Sequence, residues 1–252
     1  MLAEERRLLI VDWTRNEGRL DAAQTALKLN VATETVRRDF DVLQRRGVLR
    51  RVHGGAIAME RFAHEFTIPE RHGLNPEAKR LIGETAAQYV PDEGCIFVDG
   101  GTTTEFLAPA LRNRPDLLVV TNNLTLASKI ADSTTKTYML SGRIRPTTLS
   151  TVGARTVEDL TNLNAVVAFV GTNGISPELR LTAFDRDEAA VKKVMISNSA
   201  ERILLADNSK FGSIYPATFA TPSDFDRLVT DMGTDTAAIE KFTESGVEVV
   251  VA

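Results

Sequence analysis

Six arginines crowd one short stretch, at Arg37, Arg38, Arg45, Arg46, Arg50 and Arg51, with only Asp39 and Asp41 to balance them. Guanidinium groups at that density suit phosphate oxygens, and Arg forks beside Thr hydroxyls at a helix start suit base edges in a major groove. Thr33, Glu34, Thr35, Arg37 and Arg38 are the candidates for the groove, and Arg50, Arg51, His53 and Gly54 for the backbone or minor groove beside it. On the arginines alone, the solvated face of an ordinary amphipathic helix serves equally well.

A second chemistry lies in the loops of the remaining chain. Asp99-Gly-Gly-Thr-Thr-Thr104 follows an apolar run and leads into a helical pattern. Gly100 and Gly101 let backbone N–H groups converge, and Thr102, Thr103 and Thr104 add hydroxyl donors, a composition that holds phosphate at a helix start. An ordinary strand-to-helix turn with a Thr cap fits the same letters. Four more small, polar loops follow apolar runs: Thr121-Asn122-Asn123, Gly142 with Arg145, Gly171-Thr172-Asn173-Gly174, and Lys210 within Asp207-Asn-Ser-Lys-Phe-Gly212. Gathered at one edge, the five make a pocket for a polyhydroxylated anion, with Arg145 and Lys210 supplying charge and Asn and Asp binding hydroxyls. Asp185, Asp187 and Glu188 follow, where a helix start favours acids in any case. His64 and His72 have no partner at metal-ligand spacing, and no cofactor is expected. The single cysteine, Cys95, sits in an apolar run and is expected to be a buried thiol.

Elements must position these residues. Residues 3–13 are helical in pattern and Gly18 closes them; Asp21 with Gln24 is a capping-box variant opening a second helix that carries Ala23, Ala26, Leu27 and Leu29. Asn30-Val31 turns into a third helix, whose apolar face is Val36, Phe40 and Leu43, and Gly47 ends it. A strand over 48–52 and the turn at Gly54-Gly55 complete a winged helix-turn-helix, residues 1–58. Residues 59–76 read as a linker, with two prolines, a glycine and weak periodicity. Over 77–252 continuous apolar strands (95–98, 117–120, 137–140, 165–170, 202–206, 227–229, 247–251) alternate with helices (78–89, 103–111, 124–130, 187–199, 237–242). That alternation predicts an α/β domain with a mostly parallel, Rossmann-like sheet, whose ligands sit beyond the carboxyl ends of the strands.

Composition bounds the class. The chain of 252 residues has room for one small and one ordinary domain, and 43% apolar with 25% charged residues is a soluble globular composition. No apolar run reaches membrane length and the N-terminus is charged within four residues, so a cytoplasmic protein without a membrane partner is expected. The net charge of −4 is uneven: residues 1–60 carry eleven Lys/Arg against nine Asp/Glu, so a basic head joins an acidic body.

Thr35-Val-Arg-Arg-Asp-Phe40, then Leu43, Gly47 and Arg51-Val-His-Gly-Gly-Ala56, closely resemble the signature of DeoR-type bacterial transcriptional regulators. Ala32 stands where that family usually has Ser, so Thr33 is expected to cap one residue later; a missing cap costs about 1 kcal/mol. The remainder resembles the same family's sensor domain, and with it the fold of ribose-5-phosphate isomerase and glucosamine-6-phosphate deaminase. The landmarks are Asp99-Gly-Gly-Thr-Thr, Thr121-Asn-Asn, Gly142 with Arg145, Val152-Gly153, Gly171-Thr-Asn-Gly, Asp187-Glu188 with Lys192, and Ala206-Asp-Asn-Ser-Lys-Phe-Gly212. Ser141 stands where many relatives have a second Gly. The resemblance implies that Gly101 to Thr104 hold a phosphate and that Asp99, Asn122, Asn173 and Lys210 face a sugar. Related isomerases carry acids in the loop matching Val170-Gly-Thr-Asn173, and the deaminases Asp-Gly-His where this chain has Asn173-Gly174-Ile175, so the implied pocket binds but lacks the expected base. The expectation is a regulator, most often a repressor in this family, that binds operator double-stranded DNA and a phosphorylated sugar or polyol. Fructose 1-phosphate, other hexose phosphates and glycerol 3-phosphate lead, and a homo-oligomer, dimer or tetramer, is implied; a sugar-phosphate isomerase or deaminase-like enzyme is the alternative.

Overall fold

Val36, Phe40 and Leu43 recur at helical spacing, and in the computed structural model all three are buried on one side of a helix at Thr33–Arg45. The structure describes residues 2–45, 49–58 and 65–252; Gly47, the start of the strand expected from 48, and 59–64 with His64 fall outside that range. The chain divides into two compact units, Met1–Leu74 and Asn75–Ala252.

The first unit runs α1 (Ala3–Glu17), β1 (Arg19–Asp21), α2 (Ala22–Leu29), α3 (Thr33–Arg45), β2 (Leu49–Val52), β3 (Gly55–Ala58) and α4 (Ile68–Gly73). Gly18, at φ 72°, ends α1, and Asp21 accepts the N–H groups of Ala23 and Gln24 to cap α2. Ala32 is the residue whose carbonyl accepts from Thr35 and Val36, so α3 starts without a hydroxyl cap and Thr33 is already inside it. A third strand joins the expected hairpin: the sheet is antiparallel in the order β1-β3-β2. It needs Gly55, because a Cβ there would lie 1.9 Å from the carbonyl oxygen of Leu20. Leu27, expected on the buried face of α2, is 82% exposed, its core place taken by Thr25 and Ala22. Within the stretch read as linker, Ile68–Gly73 forms a helix that packs against α1, with Gly73 against Leu8, and Pro76 opens the next one.

The second unit holds α5 (Pro76–Ala86), β4 (Gly94–Val98), α6 (Ala108–Leu111), β5 (Leu117–Thr121), α7 (Leu124–Ile130), β6 (Lys136–Met139), β7 (Arg143–Arg145), β8 (Ser150–Val152), α8 (Ala154–Thr161), β9 (Ala165–Gly171), β10 (Gly174–Ile175), β11 (Leu181–Ala183), α9 (Arg186–Ser197), β12 (Ser199–Leu205), β13 (Ala217–Ala220), β14 (Arg227–Thr230), α10 (Thr236–Glu244) and β15 (Glu248–Val251). Seven strands form one parallel sheet in the order β15-β14-β12-β9-β4-β5-β6. Their unbroken apolar runs follow from burial on both faces. Phe97, Val120, Ala168 and Leu204 pack into one core, and Ile96, Val119, Phe169 and Leu205 into the other. Two small antiparallel sheets, β7-β8 and β10-β11-β13, and helix α8 escape the sequence pattern. Only Thr156 and Leu160 of α8 are buried, so it carries no apolar stripe to find. Among the described residues, no helix is long and apolar enough to cross a membrane.

Candidate functional site

Two chemistries need separate sites, one in each unit. In the first, burial of Val36 and Phe40 turns Glu34, Arg37 and Arg38 outward on α3, with Thr33 and Thr35 half-buried beside them. Glu34 lies 3.8 Å from Arg37 and 3.7 Å from Arg38, exposed pairs too weak to hold either guanidinium. On the wing, Arg50, His53 and Gly54 are exposed, and Gly54 takes φ 81° at the tip.

Arg51 differs from expectation. Its guanidinium donates to Asp41 Oδ1 at 2.5 Å and its backbone N–H to Gln44 Oε1 at 2.8 Å, so it fastens β2 to α3. Asp39, which the sequence presents only as a counter-charge, is buried and accepts from Arg6 Nε at 2.5 Å and Arg7 Nε at 2.9 Å of α1. Between them the two carboxylates orient the arginine-bearing helix on its neighbours. The Arg6-Arg7 doublet was the available signal.

In the second unit the polar loops leave adjacent strands at one edge: Asp207 to Lys210 after β12, Gly171 to Asn173 after β9, Asp99 to Thr104 after β4, and Asn122 with Asn123 after β5. At the centre Lys192 of α9 donates to Asp99 Oδ2, the backbone N–H of Gly171 donates to the same oxygen at 3.0 Å, and Lys192 also donates to the carbonyl of Gly171 at 3.1 Å. Burial pushes the Asp99 carboxyl above its ordinary range, and the Lys192 ammonium opposes that push. No sequence argument gave Lys192 a role. A lysine on the buried face of α9 with Ala189, Met195 and Ile196 was the clue.

The glycine-threonine loop is built differently from expectation. A 3-10 turn, Thr104–Leu107, and the four-residue α6 stand where a longer helix was predicted, so no helix dipole supports an anion there. The Thr104 hydroxyl donates within the loop, to the carbonyls of Asp99 and Gly101, both at 2.8 Å. Gly100 approaches Ser150 so closely that a Cβ would lie 2.1 Å from the serine hydroxyl. Thr102 and Thr103 are buried in the same loop.

Several other candidates shape the site. Thr121 donates to Val98 O at 2.6 Å, and Asn123 caps α7 through Leu126 N while donating to Gly101 O at 3.3 Å. Asn122, buried beside Gly100, donates to Thr151 O at 3.3 Å. Thr172 bonds to the carbonyls of Gly174 and Thr182, and Asn173 Oδ1 accepts from Phe184 N, which fixes the β10-β11 hairpin; Gly174 leaves room for the Ser213 carbonyl. Gly142, at φ 136°, would place a Cβ 2.2 Å from the Thr156 hydroxyl, so it seats α8.

Charge is also arranged differently. Buried Arg145 donates to Glu188 Oε1 at 2.9 Å and lies 3.5 Å from Asp185, while Thr148 donates to Glu188 at 2.5 Å. Those three candidates therefore form an ionic cluster of their own, and Arg145 is not an open cation. Lys210 keeps some exposure, 18% of its side chain, with its ammonium 3.5 Å from Asp207 Oδ2. Burial alone would raise the Asp207 carboxyl, but the ammonium groups of Lys210 and Lys79 and hydrogen bonds from Ser209 and Asn75 outweigh it and hold it below the usual carboxylate range. Cys95, expected to be buried, is only half-buried, at the start of β4 where the strand has not yet entered the core; burial still pushes its thiol up.

Two family descriptions match the chain: a DeoR-like helix-turn-helix domain over residues 6–62 and a DeoR C terminal sensor domain over residues 74–232. The chain is 32% identical over 231 residues to the uncharacterized HTH-type transcriptional regulator FruR of Bacillus subtilis, covering 92% of each chain. It is 34% identical over 226 residues to the lactose phosphotransferase system repressor of Staphylococcus epidermidis, covering 88% of each. Among solved structures, ribose 5 phosphate isomerase A from Neisseria gonorrhoeae is similar at a TM-score of 0.38 and 20% identity, over 54% of this chain and 53% of that one.

Proposed function

The chain belongs to the DeoR family of helix-turn-helix transcriptional regulators, and from that premise we propose that it is a repressor of sugar or polyol metabolism whose grip on operator DNA is set by a phosphorylated sugar. It is a regulator of transcription and not an enzyme. What supports the effector is the placement of the Asp99, Asn122, Gly171 and Lys210 loops at the carboxyl ends of four adjacent strands, where open parallel sheets take their ligands. Thr102 and Thr103 with the loop N–H groups then hold the phosphate, Lys210 adds charge, and Asp99, Asn122 and Asn173 line the sugar's side. A homo-oligomer in the cytoplasm, binding a two-fold operator, completes the reading.

The DNA half has its own expected outcome. Arg38→Ala should weaken operator binding by about 1–3 kcal/mol and relax sequence preference. Arg50→Ala on the exposed wing should weaken operator and scrambled duplex alike and lower the salt slope by about one. Fluorescence titrations at several salt concentrations on both duplexes check this; an Arg38→Ala variant that binds operator like wild type would remove α3 from the groove, and an Arg50→Ala variant unchanged on both duplexes would remove the wing from the backbone.

The effector half is tested by linkage. A thermal-shift screen of phosphorylated metabolites finds the ligand, since saturation at about 100 times its dissociation constant stabilises by about 2.7 kcal/mol. Thr103→Ala and Lys210→Ala should each lose about 1.5–3 kcal/mol of that ligand's binding, and Thr103→Ala should hold operator normally. Operator and effector must also weaken each other by the same factor in wild type. Calorimetry with and without operator measures it, and equal effector affinity in both conditions would end the switch mechanism.

A further inference from the structure

Asp207 has two differently used oxygens. Oδ1 accepts from Asn75 Nδ2 at 2.9 Å and from Ser209, through its N–H at 3.1 Å and its hydroxyl at 2.5 Å. Oδ2 is buried, receives no hydrogen bond, and faces the Lys210 ammonium at 3.5 Å, too far for a direct one. Lys79, almost wholly buried, helps to hold the Asp207 carboxyl below its usual range. Asn75 and Lys79 belong together: the Lys79 N–H donates to the Asn75 carbonyl at 3.1 Å, the first full turn of α5. Asn75 is also the first residue of the second unit and is held left-handed, at φ 47° and ψ 46°, a conformation Asn tolerates better than most residues.

We propose that Asp207 is the positioning residue through which Lys210 reports its occupancy to the start of α5. Two groups bear on one fully buried carboxylate: the partly exposed Lys210, which also donates to Ser209 Oγ at 3.4 Å, and the Asn75-Lys79 turn. While Lys210 stays, α5 can loosen its first turn and leave Asp207 still balanced. Once an anion draws Lys210 away, the same loosening strands a buried charge, which is strongly resisted. Effector binding therefore tightens the first turn of α5, at the junction where the chain passes from Leu74 to Asn75. The inference rests on Lys210 facing the effector, as proposed above.

The test is amide hydrogen exchange at Lys79 and Arg80 in the full chain, read by NMR. Lys210→Ala mimics withdrawal of the ammonium without any ligand, so a failed effector site and a failed coupling give separate results. In that variant exchange should slow about tenfold, the effect of one hydrogen bond gaining charge assistance. Lys210→Arg, which keeps the charge, should exchange like wild type. In an Asp207→Asn background Lys210→Ala should change nothing. Should that background fail to fold, Asn75→Ala serves instead: it leaves the carboxylate intact, should itself quicken exchange, and should shrink the Lys210→Ala effect. Added inorganic phosphate should slow exchange in wild type and not in Lys210→Ala. The coupling is overturned if Lys210→Ala leaves exchange unchanged, quickens it, or slows it equally when Asp207 is Asn or Asn75 is Ala.

Discussion

Lys192→Met is expected to destabilise the second unit by about 3–5 kcal/mol near neutral pH, because it leaves the Asp99 carboxylate buried without a counter-charge. The remaining donor to that oxygen, the Gly171 N–H, is one neutral hydrogen bond and cannot replace an ammonium. The pH dependence has a definite sign. Burial already holds the Asp99 carboxyl above its ordinary range, so the folded chain binds this proton more readily than the unfolded one. Its contribution to stability is therefore fullest below the ordinary carboxylate pKa and falls away as pH rises through the raised one. Removing Lys192 takes away the opposing influence and raises that pKa further, so the variant's deficit should shrink as pH falls from neutral into mildly acidic solution. Asp99→Asn combined with Lys192→Met should recover most of the loss, because no charge is then stranded. Urea unfolding at neutral and at mildly acidic pH, followed by the signal of Tyr89, Tyr138 and Tyr215, which all lie in this unit, measures it. A deficit that persists at the lower pH, or a double variant as unstable as the single one, would show that the pair does not carry this charge.

Asp39→Ala should cost the first unit about 3 kcal/mol, somewhat less than a fully buried pair because Arg6 and Arg7 keep some solvent. That is a large share of the stability of so small a unit. The variant should lose operator and scrambled DNA together, since α3 is no longer fixed against α1, whereas Arg38→Ala should change the ratio between them. Trp13 is the only tryptophan and lies in α1, so its fluorescence follows this unit alone. A Trp13 transition at the wild-type midpoint would mean that the Asp39 contacts are dispensable.

What could be read from the letters was whatever a local pattern controls. The Val36-Phe40-Leu43 stripe, the Asp21 cap and the continuous apolar strands are set by neighbours within a turn or two, and each stands in the structure where its pattern put it. The seven-stranded order was not readable, because parallel pairing joins segments far apart in sequence. The candidate site was readable as a set of loops and less so as a set of roles. Thr104, Asn123 and Thr172 have the composition of ligand donors, but nearby carbonyls take their hydrogen bonds. Arg145 looked like free charge because its partner Glu188 lies 43 residues away, and Asp39 looked like surface balance because Arg6 lies 33 away. Residue type announces what a side chain can bond to; only the fold decides which bond it makes.

The order of the sheet has a consequence for synthesis. β4, β5 and β6 are neighbours in sequence and in space, so they can pair as soon as they emerge, whereas β9 joins β4 by aligning Val167 with Ile96 across the whole segment from α6 to α8. Asp99 meets Lys192 across a separation of 93 residues. A nascent chain thus presents the glycine-threonine loop with an uncompensated, hydrated carboxylate until α9 has been made. The carboxyl edge of the sheet cannot dry around this loop before then. That edge is completed late in the growth of the polypeptide, after the helix-turn-helix unit ahead of it has already had time to fold.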